Sequence, residues 1–141
     1  MIVKNLNFGE NAKNKVFKGI EKLTNAVSST LGASGKCVIL EDKQGNPIIT
    51  KDGVTVADSI VLLDPVENIG ATLIKEAARK TVKEAGDGTT TATVLAHAIL
   101  KEAYKELNNT NTREIKEGIL NGVEKIIKHI TDKSVPVDNR I

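Results

Sequence analysis

The chain is poor in cysteine and in aromatic residues. Its one cysteine, Cys37, excludes an intramolecular disulfide framework and a cysteine-based metal cluster. Aromatic residues make up 2% of the sequence and tryptophan is absent, so few side chains are available to stack on nucleic-acid bases. With 40% hydrophobic residues over 141 positions, the chain still has enough aliphatic side chains to bury the core of one domain.

A large charge of one sign and long apolar runs are also missing. The 20 basic and 18 acidic residues leave a net charge of +2, which gives no strong positive field for binding nucleic acid. No stretch is long and apolar enough to cross a membrane, and from the pattern of the first residues we expect neither a secretory leader nor a transit segment. We therefore predict a cytoplasmic protein with no nucleic-acid partner and no membrane partner.

The first fifty residues predict a strand, a helix and a hairpin. The alternating segment Ile2–Phe8 is typical of a strand. From Asn11 a helical stripe begins, and Gly32 stands where a left-handed cap is expected; the stripe consists of Ala12, Val16, Ile20, Leu23, Val27 and Leu31. Residues 38–40 and 47–50 flank a turn-rich segment, which indicates a β-hairpin.

Two further helices are predicted before residue 108. Asp64-Pro65-Val66-Glu67 combines a capping residue, a proline at the first helical position and a glutamate that completes a capping box. The helix that it opens runs to about Ala85, and the next runs from Thr89 or Thr90 to about Leu107.

A last helix is predicted near the C-terminus. Asn111 and Glu114 have the spacing of another capping box, and the helix closes before Pro136. Five of its residues are expected to face inward: Ile115, Ile119, Val123, Ile126 and Ile130. The predicted fold class is therefore mainly α, a helical bundle with a small β-hairpin and an N-terminal strand.

Three isolated residues receive no functional role. Cys37 borders an apolar segment and is expected to be a small buried hydrophobe. His97 and His129 fall on different predicted helices, and without a third ligand they are interpreted as ordinary helix-face histidines rather than a metal site.

The segment Ala85–Ala96, AGDGTTTATVLA, has the features of an anion site at a helix start. Gly86 ends one helix, Asp87 follows, Gly88 lets a ligand approach the backbone, and three threonines open the next helix. The first amides of a helix have no intrahelical partner and lie at the positive end of its dipole, so they bind phosphate oxygens. Asp87 is placed to hold a Mg²⁺ that bridges those oxygens.

Simpler explanations remain open on the residues alone. A threonine at a helix start is often only a cap, and consecutive β-branched residues often form a strand. Likewise, Lys51-Asp52-Gly53 fits an exposed turn at the exit of the hairpin.

Two familiar nucleotide motifs are excluded. Thr30–Cys37 lacks the first glycine and the final Ser or Thr of a P-loop, and it follows a predicted helix rather than a strand. Gly86–Thr91 lacks the last glycine of the dinucleotide fingerprint and also follows a predicted helix. The remaining interpretation is a nucleotide site built from two glycine-bearing loops, one after the first helix and one before the helix that follows Gly88.

Together with Thr30-Leu31-Gly32 and Ile49–Ala57 (ITKDGVTVA), the Ala85–Ala96 segment closely resembles the ATP-binding part of group I chaperonins, the bacterial GroEL type. The motifs occur in the same order and at the same spacing. The resemblance extends from about Lys4 to the last residue. It implies that residues 1–134 form the N-terminal half of an equatorial ATP-binding domain, and that residues 135–141 begin the crossover to an intermediate domain.

The resemblance also assigns functional roles. It implies a chaperonin ATPase that drives protein folding in a ring complex, with ATP or ADP, Mg²⁺ and K⁺ as ligands. The nucleotide loop and phosphate cradle match Thr30, Leu31, Gly32, Ala33, Gly88, Thr89, Thr90 and Thr91. Lys51 matches a contact near the phosphates and potassium, Asp87 matches the magnesium ligand, and Asp52 matches an aspartate near the terminal phosphate. Asp52 is therefore the candidate catalytic residue.

The first loop departs from the family pattern. Ala33-Ser34 stands where the family usually has Pro-Lys, so the loop loses a fixed φ and one positive charge near the phosphates. The missing proline adds unfolded-state freedom of roughly 0.4–1 kcal/mol. We expect nucleotide binding to be weaker than is typical of the family, with the site retained.

Several parts of a complete chaperonin are expected to lie outside this sequence. These are the aspartate that activates water, the returning half of the ATP-binding domain and the apical domain, which binds unfolded clients and the co-chaperonin. We therefore interpret the chain as a fragment or truncated product that does not hydrolyse ATP alone. Its uncovered apolar helix faces and open strand edge are expected to favour association, and the family's own assembly is a heptameric double ring.

Two other functions are compatible with the sequence. One is a non-catalytic, chaperonin-like module that joins or blocks rings, and the other is a stand-alone nucleotide-binding protein. Replacing Asp87 by Ala separates the first from an ATP-binding chaperone, because it should abolish Mg²⁺-ATP binding and leave pure assembly intact.

Overall fold

A computed structural model describes residues 7–42 and 44–137. These residues form five helices and one hairpin: α1 (Gly9–Ser28), β1 (Val38–Glu41), β2 (Pro47–Thr50), α2 (Gly53–Ser59), α3 (Pro65–Ala85), α4 (Thr89–Glu106) and α5 (Thr112–Lys133). The predicted mainly α fold with a small hairpin is confirmed. Within the described ranges, no helix has the length and apolar character needed to cross a membrane.

Contacts divide the chain into two compact units, Met1–Ala98 and Ile99–Ile141. The predicted division between residues 134 and 135 stays a prediction. Most of the predicted strand Ile2–Phe8 lies outside the described residues, and Phe8 is the residue that precedes α1.

The core of the first unit forms where α1, α2 and α3 meet. It consists of Ile20, Leu23, Val27, Val56, Ala57, Ala71 and Ile74. Three of these belong to the stripe predicted for α1, which buries them on one face of the helix. Leu31 was expected to continue the stripe, but it is 46% exposed because α1 has already ended at Ser28.

Two glycines let α1 and α3 cross with their backbones in contact. A Cβ atom on Gly19 would lie 1.8 Å from the Glu67 carbonyl oxygen, and one on Gly70 would lie 1.9 Å from the Val16 carbonyl oxygen. Beside this crossing, the buried Glu67 carboxylate pairs with Lys22 and with Lys18 on α1, the latter at 3.5 Å. The position of α3 on α1 is thus set by small residues and one ion-pair cluster.

The ends of α3 are those that the sequence predicts. Asp64 caps its start and accepts hydrogen bonds from the amides of Val66 (2.8 Å) and Glu67 (3.2 Å). Gly86 ends the helix in the left-handed conformation, with φ of 80°. The predicted capping box is wrong, because the Glu67 carboxylate pairs with the lysines of α1 instead.

The hairpin is confirmed, with antiparallel pairs from Val38 opposite Thr50 to Glu41 opposite Pro47. Val38 and Leu40 pack against the core, whereas Ile39, between them, is 72% exposed. Cys37 is two residues before Ile39 and lies on the same face of the extended chain. It is exposed, so the prediction that it is buried is wrong.

Helix α5 begins where the sequence predicts. Contrary to the prediction, it is not buried. Asn111 caps it by accepting a hydrogen bond from the Glu114 amide (2.9 Å), and the helix ends at Lys133, before Pro136. None of its residues is buried. The expectation that its apolar stripe faces inward is therefore wrong, since Ile126 and Ile130 are 60% and 61% exposed.

Candidate functional site

Three loops of the first unit meet at the start of α4. The Thr30 hydroxyl, just after α1, lies 3.4 Å from the Thr90 hydroxyl. Gly53, the first residue of α2, is packed against the same hydroxyl, since a Cβ atom on Gly53 would lie 2.2 Å from Thr90 Oγ1. The structure thus brings together all three motifs on which the sequence analysis depended, and Thr90 is the residue that they share.

The first loop, residues 29–36 after α1, is held together by hydrogen bonds within its own backbone. The amide of Gly35 donates to the Gly32 carbonyl (3.0 Å), and the amide of Lys36 donates to the Ser29 carbonyl (2.8 Å). Gly32 has φ of 74°, so it takes the predicted left-handed conformation, but within this turn and not as the cap of α1, which is Ser29. These bonds hold the loop in shape without the proline that the family usually has at position 33.

The same loop leaves its middle open to a ligand. Leu31, Gly32 and Ala33 are exposed, whereas Thr30 is half-buried and its hydroxyl donates to the Val27 carbonyl (2.7 Å). Leu31, Gly32 and Ala33, which the resemblance assigns to a nucleotide contact, are therefore accessible to solvent.

The third loop presents unpaired amides. Gly86 and Gly88 have φ of 80° and 100°, and the Asp87 carboxylate between them accepts a hydrogen bond from the Gly88 amide (2.6 Å). The Gly88 carbonyl accepts the Ala92 amide (2.8 Å). The amides that precede Ala92 in α4 therefore lie at the helix start without an intrahelical acceptor, at the positive end of the helix dipole.

The threonines at this helix start face different surroundings. Thr91 is exposed and Thr90 is half-buried, whereas Thr89 is 7% exposed and its hydroxyl oxygen has no hydrogen-bond partner. A buried hydroxyl without a partner is uncommon, because such a group loses its hydration without compensation. Thr93 differs, since its buried hydroxyl donates to the Thr89 carbonyl (2.8 Å).

The second loop leads into a helix that sequence analysis missed. Asp52 caps α2 and accepts hydrogen bonds from the amides of Val54 (3.3 Å) and Thr55 (2.8 Å) and from the Thr55 hydroxyl (2.6 Å). The hydrogen bond from the Thr55 hydroxyl, with those from the amides, lowers the pKa of the Asp52 carboxyl. The β-branched run Val54-Thr55-Val56 favours a strand and hides the helix, so Asp52 as a capping residue was the only available signal.

The far end of α2 is attached to α3. Lys75 Nζ donates to the Ile60 carbonyl (2.5 Å), and Arg79 pairs with Asp58 at 2.6 Å. Burial lowers the pKa of the Lys75 ammonium. A cavity of about 190 Å³ lies along this α2–α3 contact, and Thr89 is its one lining residue from the predicted nucleotide set. The cavity therefore adjoins the start of α4 at Thr89.

The residues at the start of α4 are suited to a phosphate with a divalent cation. Mg²⁺ is commonly held by one or two carboxylates together with waters and phosphate oxygens. Asp87 is exposed beside the free amides, and the unpartnered Thr89 hydroxyl adds one more polar group. No group of three or more potential metal-ligating side chains occurs in residues 7–42 and 44–137, so Asp87 would share a cation with ligand oxygens rather than with a protein cluster.

Comparisons with known proteins point to one family. The sequence model of the TCP-1/cpn60 chaperonin family matches residues 23–141. A protein named chaperonin GroEL from Methanospirillum hungatei is 48% identical over 141 residues, which cover 99% of this chain and 26% of that relative. Among solved structures, the chaperonin gp146 of the Pseudomonas aeruginosa bacteriophage EL, crystallised in the presence of ATP-BeFx, has a TM-score of 0.79 at 32% identity. That match covers 92% of this chain and 23% of the phage protein.

Proposed function

Because the chain belongs to the TCP-1/cpn60 chaperonin family, we propose that it is the ATP-binding part of a molecular chaperone that uses ATP to drive protein folding in a ring complex. The chain spans 26% of the GroEL relative and 23% of the phage chaperonin, so the activity proposed is that of a longer protein. The meeting of the Thr30, Gly53 and Thr90 loops supports the proposal, because the three segments that resemble the family's nucleotide motifs approach one another at one helix start.

The nucleotide is proposed to lie against the first and third loops. The accessible residues Leu31, Gly32 and Ala33 form one side, and the phosphates are held by the free amides at the start of α4, with Thr89, Thr90 and Thr91. Binding through amides requires no basic side chain, since a helix start attracts phosphate without one.

Two cations complete the proposed site. Asp87 would hold Mg²⁺, which neutralises charge on the phosphate oxygens and orients them. Lys51, exposed beside Asp52, is proposed to lie near the phosphates and K⁺, as the resemblance implies. The phage chaperonin, whose structure was obtained with ATP-BeFx, supports nucleotide as the ligand class of this fold.

Asp52 is proposed as the catalytic residue that this chain contributes. Its carboxylate is ionised at neutral pH, as that of an ordinary aspartate is, and the hydrogen bonds from Thr55 that lower its pKa stabilise this form further. A carboxylate suits a group near a phosphate-bound cation. The same carboxylate caps α2, so it is held in a fixed position by the helix that follows. The resemblance places the aspartate that activates water beyond position 141, and hydrolysis is therefore assigned to the longer protein.

Calorimetry with matched variants tests the proposal. The chain is titrated with ATP in Mg²⁺ and again in EDTA, and the titrations are repeated with Asp87→Asn. Asparagine retains an oxygen to accept the Gly88 amide and removes only the charge. We expect Asp87→Asn to weaken the Mg²⁺-dependent binding roughly tenfold or more, as for a lost interaction with a charged group. Asp132→Asn, an exposed change on α5, is the control that should bind normally.

The proposal would be contradicted by a folded chain that binds no nucleotide. It would also be contradicted if the chain bound nucleotide equally well without Mg²⁺ and in Asp87→Asn.

The second candidate function, a chaperonin-like module that joins or blocks rings, is favoured by a separate observation. Helix α5 has no buried residue and exposes Ile126, Ile127 and Ile130. An Asp87→Asn chain that still assembles with rings, together with no Mg²⁺-ATP binding by the unsubstituted chain, supports this alternative.

The remaining partners follow from the family. We propose self-association in a ring, and binding of unfolded clients and co-chaperonin through parts of the longer protein that this sequence does not contain. A cytoplasmic location is also proposed, and the free, exposed Cys37 is consistent with a reducing compartment.

A further inference from the structure

We propose that Gly53 is a positioning residue of the three-loop site, because its missing side chain leaves the space in which the Thr90 hydroxyl meets the Thr30 hydroxyl. This inference rests on the proposed function for its effect on nucleotide. It assigns a purpose to a glycine that lies outside the set of residues predicted to contact the ligand.

Backbone conformation does not require a glycine here. Gly53 is not among the residues with positive φ, unlike Gly86 and Gly88. It is the first residue of a helix, where an alanine is well tolerated and is favoured by intrinsic propensity. The reason for glycine must therefore lie in what surrounds its Cα atom, which is buried.

Among residues 7–42 and 44–137, a Cβ atom at this position would closely approach a single hydroxyl oxygen. It would lie 2.2 Å from Thr90 Oγ1, but 3.5 Å from Thr90 Cβ and 3.6 Å from the Thr90 nitrogen, which are ordinary contact distances. An alanine at position 53 therefore conflicts with the rotamer of Thr90 and not with its backbone. Threonine in a helix populates two χ1 rotamers, so the conflict is relieved when the hydroxyl turns away.

Hydrogen bonds at both ends of α2 restrain the Gly53 backbone from shifting away from Thr90. Asp52 fixes the start through three hydrogen bonds, and Lys75 holds the Ile60 carbonyl at the end. Since α2 is only 7 residues long, restraints at its two ends act on every residue in it. The hydroxyl is the part that moves, and its movement ends the 3.4 Å approach to Thr30.

The test is a double-mutant cycle with Gly53→Ala and Thr90→Ala in the full chain. In the unsubstituted background, Gly53→Ala should weaken Mg²⁺-ATP binding about five- to tenfold, as for the loss of one hydrogen-bonding group. In the Thr90→Ala background, where there is no hydroxyl to displace, Gly53→Ala should have no further effect. Gly118→Ala on α5, where a Cβ atom meets nothing, is the matched control and should bind normally.

A second measurement reports on geometry independently of nucleotide. Three-bond NMR couplings to the Thr90 γ-methyl carbon give its χ1 rotamer, which should change in Gly53→Ala and stay unchanged in Gly118→Ala. Equal losses of affinity in both backgrounds, normal affinity in Gly53→Ala, or an unchanged Thr90 rotamer would overturn the inference. If the folded, unsubstituted chain binds no Mg²⁺-ATP, the proposed function fails, and the rotamer measurement alone then decides whether Gly53 positions Thr90.

Discussion

The Thr30 and Thr90 hydroxyls lie 3.4 Å apart, although 60 positions of sequence separate them. Thr30 follows the last turn of α1, and Thr90 belongs to the first turn of α4. Their approach joins two loops that are each recognisable as a motif but that are far apart along the chain. The end of α1 and the start of α4 are consequently neighbours in the folded chain.

The first prediction separates the two roles of Asp52. Replacing Asp52 by Ala removes the cap of α2 and should lower the free energy of unfolding by about 0.5–2 kcal/mol. Asp52→Asn retains a capping oxygen and removes the charge. It should therefore be more stable than the alanine variant, and it should change nucleotide binding to the same extent. Urea denaturation and calorimetry measure the two properties. Equal stability of the two variants would show that the cap contributes nothing.

The second prediction concerns the crossing of α1 and α3. Gly19→Ala places a Cβ atom against the Glu67 backbone carbonyl, which cannot move without shifting α3. We expect it to lower the free energy of unfolding by about 1–3 kcal/mol, as other overpacking changes do. The same change at Gly118, in open space, should stabilise α5 by up to about 1 kcal/mol. Urea midpoints followed by circular dichroism test both, and a neutral Gly19→Ala contradicts the close crossing.

The third prediction is loss of stability in acid. The side-chain hydrogen bond from Lys22 lowers the pKa of Glu67, and that from Lys15 lowers the pKa of Asp64. A lowered folded-state pKa gives stability that is complete above the unfolded value, about 4 for these groups, and is lost as pH falls through the folded value.

Urea midpoints measured between neutral and strongly acidic pH should therefore fall mainly below about pH 4. Glu67→Gln should flatten this fall, because it removes one of the titrating groups. Glu124→Gln, an exposed change on α5, is the control and should leave the profile unaltered. A Glu67→Gln chain with the original acid profile would show that the lysine contacts do not stabilise the folded state.

The fourth prediction is association of the isolated chain. Ile126, Ile127 and Ile130 on α5 are each more than half exposed, and water-exposed apolar surfaces of this kind promote self-contact. Light scattering should show a mass that rises with concentration, and the double change Ile126→Lys/Ile130→Lys should reduce it. Leu63→Lys, at a fully exposed single leucine, is the control for added charge. A monodisperse monomer that unfolds cooperatively would contradict the prediction.

The sequence predicted those features that depend on neighbouring residues. Asp64 and Asn111 were expected to cap helices, Gly86 to end one, and the segments around the hairpin to pair, and all of these are confirmed. Each depends on hydrogen bonds or on a backbone conformation within a few residues, which local composition determines. The glycine-bearing sequences identified two of the loops that meet at Thr90, and the resemblance to the chaperonin family added the third, at Gly53.

Predictions of burial were less successful. The alternation of the hairpin puts Cys37 on its open face, and the apolar stripe of α5 has no buried residue in this chain. Helix α2 was missed because its β-branched residues have a low intrinsic helix propensity. It forms because Asp52 caps one end, while contacts with α3 hold the other and bury Val56 and Ala57.

The sequence by itself therefore determined where most helices begin and end and where the hairpin turns. Only the tertiary structure decided that Thr30, Gly53 and Thr90 meet, and that Gly19 must be glycine. The physical reason is the separation along the chain between the residues that interact. Caps and turns are formed between neighbours in the chain, whereas an approach across 60 positions exists only after α1, α2 and α3 have packed around a common core.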